Sequence, residues 1–227
     1  MEIMFGMWSK NNLVNKEEVK RFISVYARDD NWHHEDSRNG GLGYGWIHYS
    51  LIRLLNPKNI LCVGSKWGFI PAICALACRD NKNGKVDFVD AGFDMDDYDK
   101  VAGEHWGGVG WWKKCDAKKY FGKFKLEKYI SLLVMKSKDY ESKNKKMKYG
   151  YVHIDGDHSY EGVKSDFDLF WPKVEKGGFL AIHDIGSPDK DGNVYGTRKF
   201  WQEIKKNRKY KLIEISEDPG VGIIQKG

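Results

Sequence analysis

No run of eighteen or more apolar residues occurs anywhere in this chain, which excludes a membrane-spanning helix of ordinary length. Residues 1–20 lack the basic-then-apolar layout of a secretory signal, so a reducing cytoplasm is the expected compartment. Cysteine is scarce: four residues, Cys62, Cys74, Cys78 and Cys115. Cys74 and Cys78 share a helix face, but no second pair of ligands stands nearby, which argues against the four-ligand zinc site. They read instead as small buried hydrophobes. Charge of one sign is also limited, with a net charge of +6. The lysine tract at 142–148 has no interleaved aromatics, so it reads as a solvated loop, and no nucleic-acid partner is expected. At 227 residues and 41% hydrophobic composition, the chain suffices for one well-packed domain.

What the chain does have is an apolar run that ends abruptly in acid and imidazole: Tyr151-Val152-His153-Ile154-Asp155-Gly156-Asp157-His158-Ser159-Tyr160. A second run, Ala181-Ile182-His183-Asp184, ends the same way. Continuous apolar runs of this length suit buried parallel strands. Polar groups just past them fall at the carboxyl edge of an open α/β sheet, where such folds bind ligands. If the two strands are neighbours, Asp155 and Asp184 start about 4.8 Å apart. Carboxylates that close repel unless a proton or cation lies between them, and a hard ion such as Mg²⁺ suits oxygen ligands. The alternative is a pair of loop-capping Asp residues.

Elsewhere the pattern alternates. Residues 16–28 carry Val19, Phe22, Ile23 and Tyr26 at helical spacing. A Gly-, His- and Trp-rich stretch without periodicity, 31–45, reads as a loop, and a helix over 46–55 is closed by Asn56-Pro57. Strands are predicted at 59–65, 85–91, 130–137, 149–155 and 179–183, the last entered by a Gly177-Gly178 turn. Helices are predicted at 69–79, 160–174 and 197–207, and a closing strand pair at 210–216 and 221–225. Strand–helix alternation gives a mostly parallel sheet covered on both faces, and the last hairpin an antiparallel edge. The chain divides into an N-terminal helical or lid segment, 1–56, and an α/β domain, 57–227.

The first strand runs into Val63-Gly64-Ser65-Lys66-Trp67-Gly68-Phe69 and directly onto a helix. Glycine at a strand end permits close backbone approach to a ligand, and the helix N-terminus offers free N–H groups. The spacing differs from the G-x-G-x-x-G of dinucleotide sites. The next strand ends in Asp90, where a carboxylate can accept both hydroxyls of a ribose. Turn and acid together indicate a cofactor containing a nucleoside.

These residues, in this order, resemble the S-adenosylmethionine-dependent methyltransferase superfamily with its Rossmann-like seven-stranded sheet. Within it they are most similar to small O-methyltransferases such as macrolide-sugar methyltransferases and cephalosporin-hydroxylase-like proteins. The resemblance spans roughly 59–225. It rests on Ile154 through Val163 with Asp166, then Trp171, Gly177-Gly178, His183-Asp184, Gly196-Thr197-Arg198-Lys199-Phe200-Trp201 and Gly220-Val221-Gly222-Ile223-Ile224. It implies that Gly64, Ser65, Lys66, Gly68, Asp90, Asp139 and Asp155 contact S-adenosylmethionine. It further implies that Asp155 and Asp184, with His183, hold Mg²⁺, and that His158 is the proton acceptor. The implied partner is a small-molecule or glycan acceptor, and a homodimer is the default assembly. Two positions depart from the pattern: Cys62 stands where relatives carry an acid, and His183 where they often carry Glu. His153, inside its strand, reads as a packed, hydrogen-bonded core residue. Trp32, His33, His34, Tyr44 and Trp46 could close over substrate, or cover the sheet edge or a dimer contact. Rival readings are a metal-independent methyltransferase, a nucleic-acid methyltransferase, a non-catalytic cofactor binder and a nicotinamide oxidoreductase. The nucleic-acid reading lacks an Asn/Asp-Pro-Pro-aromatic motif and a Pro-Cys nucleophile.

Overall fold

A computed structural model describes residues 16–28, 42–92, 110–186, 196–216 and 219–227. Its centre is a seven-stranded sheet. In chain order, helices α1 (Lys16–Tyr26) and α2 (Gly45–Leu55) precede β1 (Asn59–Val63), α3 (Phe69–Asn81) and β2 (Lys85–Asp90). Then come α4 (Ala117–Gly122), β3 (Ile130–Val134), α5 (Ser137–Lys143), β4 (Tyr149–Ile154) and α6 (Tyr160–Phe170). A 3₁₀ turn (Trp171–Lys173) leads into β5 (Val174–His183), followed by α7 (Gly196–Lys206), β6 (Lys211–Ile215) and β7 (Val221–Gln225).

The strand order is β3-β2-β1-β4-β5-β7-β6. Strands β1 to β5 run parallel, and β7 is antiparallel to both β5 and β6. Every residue of β4 is buried, as expected of a strand sandwiched between helical layers. One layer holds α1, α2 and α3, whose Val19, Phe22, Tyr26, Ile52 and Ile73 share a core with Ile60, Cys62 and Phe88 of the sheet. The other holds α5, α6 and α7, with Tyr140, Val163, Phe167, Phe170 and Trp201 packed on Leu61, Val152 and Leu180.

Three boundaries differ from the sequence reading by more than two residues. The strand predicted through Ser137 stops at Val134, and Ser137 opens α5. The helix predicted to Val174 stops at Phe170, because Pro172 lacks the N–H that the helix ladder needs. Gly177-Gly178 does not precede β5 but lies inside it, where the pairing with β4 shifts register between Tyr149 and Tyr151. A Cβ on Gly178 would come within 2.7 Å of the Gly150 carbonyl oxygen, so glycine marks a close backbone approach within a strand. Most of the loop read at 31–45, with Trp32, His33 and His34, lies outside the described residues.

Candidate active site

The carboxyl edge of β4 and β5 builds the site. The Asp155 N–H donates to the Val63 carbonyl at 2.8 Å, continuing the β1–β4 ladder by one residue. The chain then turns. The Asp157 carboxylate accepts from the Ser159 N–H at 2.8 Å, and the Ser159 hydroxyl caps α6 by accepting from the Gly162 N–H at 3.0 Å. These two local bonds, of the kind Asp and Ser make at helix starts, leave His158 projecting back over the strand ends. Its carbonyl is fixed from the far side by the Thr197 N–H, at 3.1 Å, and the Thr197 hydroxyl, at 3.2 Å.

Strand β5, hydrogen-bonded beside β4, delivers His183 and then Asp184, whose backbone takes the left-handed conformation (φ 60°). His158 Nε2 lies 3.3 Å from Asp155 Oδ1 and 3.3 Å from Asp184 Oδ2. One ligand atom from each of Asp155, His158 and Asp184 falls within 4.8 Å of the others. His183 turns Nδ1 toward the same carboxylates, 3.3 Å from Asp184 and 3.8 Å from Asp155. Burial works to lower the His158 pKa, but the charge of Asp184, with the hydrogen bond and charge of Asp155, outweighs it and raises the pKa above the ordinary value. The raised pKa is what two neighbouring carboxylates impose on an imidazole.

This donor set fits a hard divalent ion. Two carboxylates converge on one point with imidazole beside them, and Mg²⁺ is commonly bound by one or two carboxylates with water completing its shell. Tyr44, at the start of α2, sets its ring 6.3 Å from that of His183, edge to face. Trp46 instead packs on Tyr49.

Behind the site lies a row of imidazoles. His153 stands between His48 and His183, at centroid distances of 4.9 and 6.0 Å. It is packed as expected, but the expected hydrogen bonds are absent: neither ring nitrogen has a partner among the described residues. The cause is its setting, because its β1 neighbour is Cys62 and its edges face rings. Burial pushes the His153 pKa well below the ordinary value, and the neighbouring imidazoles add to it. His48 places Nδ1 2.5 Å from the Tyr151 hydroxyl.

One strand over, Gly64 (φ 70°) follows β1 and Gly68 (φ 81°) leads α3, which has no side-chain cap. A Cβ at Gly64 would lie 2.2 Å from the Asp155 carbonyl oxygen. The Asp90 carboxylate accepts from the Gly92 N–H at 2.8 Å and from the Ser65 N–H, tying the end of β2 to the glycine turn. Burial raises its pKa in spite of these two donors. Ser65 and Gly68 are buried and Lys66 is exposed. Asp139 is also exposed, in the first turn of α5 after the outer strand β3. The turn, an uncapped helix start and an acid on the adjoining strand suit a ligand with a nucleoside and a charged tail. Cys62 does not face that seat. It is fully buried and its sulfur lies 3.8 Å from that of Cys74 on α3. Sequence reasoning assigned no role to Tyr120, and none to Thr197 beyond its place in the Gly196–Trp201 motif; both hold the site's loops through contacts made far along the chain.

The family of methyltransferase domains matches residues 61–185, from β1 to the residue after Asp184 and over more than half of the chain. The chain belongs to that family. Thus the glycine turn, Asp90, the Asp155–His158 loop and Asp184 of this methyltransferase all lie inside the shared region. Solved structures repeat its fold at low identity. The O-methyltransferase TomG from Streptomyces achromogenes, involved in tomaymycin synthesis and in complex with SAM, is 13% identical. The match covers 82% of this chain and 81% of TomG, with a TM-score of 0.58. An O-methyltransferase from Bacillus cereus in complex with SAH is 13% identical, over 81% of each chain, at a TM-score of 0.56. A methyltransferase from Geobacter sulfurreducens is 15% identical over 89% of this chain and 90% of that one, at a TM-score of 0.58. No curated protein sequence matches the methyltransferase.

Proposed function

We propose that the chain is an S-adenosylmethionine-dependent, Mg²⁺-dependent O-methyltransferase acting on a hydroxyl of a sugar or other small molecule. The observation that carries this reading is the convergence of Asp155 and Asp184 on one imidazole nitrogen, beside a glycine turn tied to Asp90. S-adenosylmethionine, when bound on the turn, supplies a methyl group on a positively charged sulfur whose departure as a neutral thioether needs no acid. Mg²⁺, when bound by Asp155 and Asp184, with His183 beside them, supplies charge that eases ionisation of an acceptor hydroxyl.

The chain's own residues do the rest. Asp155 and Asp184 give the ion a seat whose spacing is set by two hydrogen-bonded strands. His158 Nε2, held 3.3 Å from a carboxylate oxygen of each acid, is the group of this chain placed to accept the proton lost by the acceptor, a role typically worth 10²–10⁴-fold. Thr197, bonded to the His158 carbonyl, and Ser159, capping α6, hold the backbone from which the imidazole projects, and such positioning contributes to the rate. Asp90 and the turn around Gly64, Ser65, Lys66 and Gly68 hold the donor, and Asp139, in the first turn of α5, is a further contact only by the family resemblance. No helix among the described residues is long and apolar enough to cross a membrane, and four free cysteines suit a reducing cytoplasm.

The test is a mass-spectrometric screen of sugar and other hydroxyl acceptors for the gain of one methyl group, with and without chelator. The expected product forms only with added divalent cation and is lost in Asp155→Ala and Asp184→Ala, while Asp184→Ala still binds S-adenosylhomocysteine. Full turnover after exhaustive chelation would instead select a metal-independent enzyme.

A further inference from the structure

Helix α1 ends on an unusual residue. The N–H groups of Ala27 and Arg28 both donate to the Ile23 carbonyl, at 2.8 and 3.1 Å, and Arg28 adopts φ 54°. Helices that close this way most often place glycine in the left-handed position, where a Cβ is a liability. An arginine there retains backbone strain, and strain of that kind points to a use for the side chain.

The side chain reaches the donor turn. The Arg28 guanidinium carbon lies 4.2 Å from the ring centre of Trp67 and 4.2 Å from that of Trp111, with Tyr120 at 5.5 Å. Trp67 stands between Gly64 and Gly68, in the turn itself. Its ring meets Trp111 edge to face at 5.9 Å. The Tyr120 hydroxyl, hydrogen-bonded to Arg28, lies 2.8 Å from the Trp67 carbonyl and 2.7 Å from the Val25 carbonyl, so it can donate to either. Two backbone bonds fix the ends of the turn, Gly64 N–H to Val89 at 2.8 Å and Gly68 N–H to Ser65 at 3.3 Å. Between them lie residues flanked by two glycines at positive φ, a stretch with much freedom to lose.

We propose that Arg28 is a positioning residue for the methyl donor: it grips Trp67 from outside and so presets the backbone of residues 64–68. This inference rests on the reading of that turn as the donor's seat. Ordering the turn beforehand removes part of the entropy lost on binding. A guanidinium stacks flat on indole where an ammonium does not.

The experiment measures S-adenosylhomocysteine affinity by calorimetry, with the thermal midpoint recorded for each variant. Arg28→Gly removes the side chain while relieving the left-handed backbone. It should raise Kd roughly tenfold, about the worth of one desolvated cation–π contact. Arg28→Lys should fall between the two. Val19→Ala, which opens a cavity under α1 away from the turn, should lower the midpoint more than Arg28→Gly yet leave Kd unchanged. Wild-type Kd in Arg28→Gly would overturn the proposal, as would an equal loss of affinity in Val19→Ala, since undocking of α1 would then suffice. Absence of binding by the wild-type chain is a different failure, removing the donor-seat reading and this proposal with it.

Discussion

Asp184 sits at the end of β5 with φ 60°, a conformation that costs an L-residue roughly 1–2 kcal/mol. Strain held at the edge of a binding site is a common trade of stability for function. Asp184→Gly and Asp184→Ala should therefore be equally inactive, yet the glycine variant should be the more stable by roughly 1 kcal/mol, as read from denaturant midpoints. Equal stability would mean that the backbone relaxes once the carboxylate is gone. His158 makes a different prediction at the same scale. His158→Ala should lower kcat by about 10²–10⁴-fold in a methyl-transfer assay while changing S-adenosylhomocysteine affinity little. A matching fall in affinity would assign the imidazole to donor binding instead. The two acids were legible from sequence because each closes an apolar run, and that position in a parallel sheet is where side chains leave the core for the ligand edge. The unpaired nitrogens of His153 were not legible. They depend on His48 of α2 turning a ring edge toward the strand, a contact that no local pattern encodes.

Helix α6 carries a buried acid on the face it turns to the site loop. The Asp166 carboxyl is 5% exposed, and a Cβ at Gly156 would stand 3.5 Å from its Oδ2. Burial pushes its pKa up to about 6, against a hydrogen bond from Ser137 that holds it down. The folded value exceeds the unfolded one, so between pH 3.8 and about 6 the native state binds the extra proton, and stability falls as pH rises through that window. Above it a fixed cost remains. Asp166→Asn should therefore raise the thermal midpoint at pH 8 and give no gain at pH 4. A gain at both would show that the change repacks the helix and does not act through charge. Short elements were the least legible part of the chain. Helices α4 and α5 span 6 and 7 residues, too few turns for a 3.6-residue period to emerge from lysine-rich sequence. The opening of β5 was hidden for another reason: paired glycines signal a turn in most contexts, and here they let two strand backbones pass closely.

For the molecule as a whole, acid is the predicted weakness. His48 is fully buried, and burial, with the neighbouring His183, lowers its pKa from 6.5 to about 3. The unfolded chain binds the proton first, so stability is complete above pH 6.5 and falls by up to about 1.4 kcal/mol for each pH unit below it. His48→Gln, which can still meet the Tyr151 hydroxyl, should flatten this slope in thermal unfolding between pH 4.5 and 6.5. An unchanged slope would place acid sensitivity elsewhere. The architecture was readable at this scale, since strand–helix alternation admits few topologies. The docking of α1 on the donor turn was not, because Arg28 and Trp67 lie 39 positions apart with a strand and a helix between them. A last consequence follows from Gly64, which rests its bare Cα against the Asp155 peptide. On the proposed function, the platforms for donor and acceptor abut main chain to main chain. The line from sulfur to oxygen is then drawn by the scaffold, and surrounding walls are free to diversify toward new acceptors without disturbing that alignment.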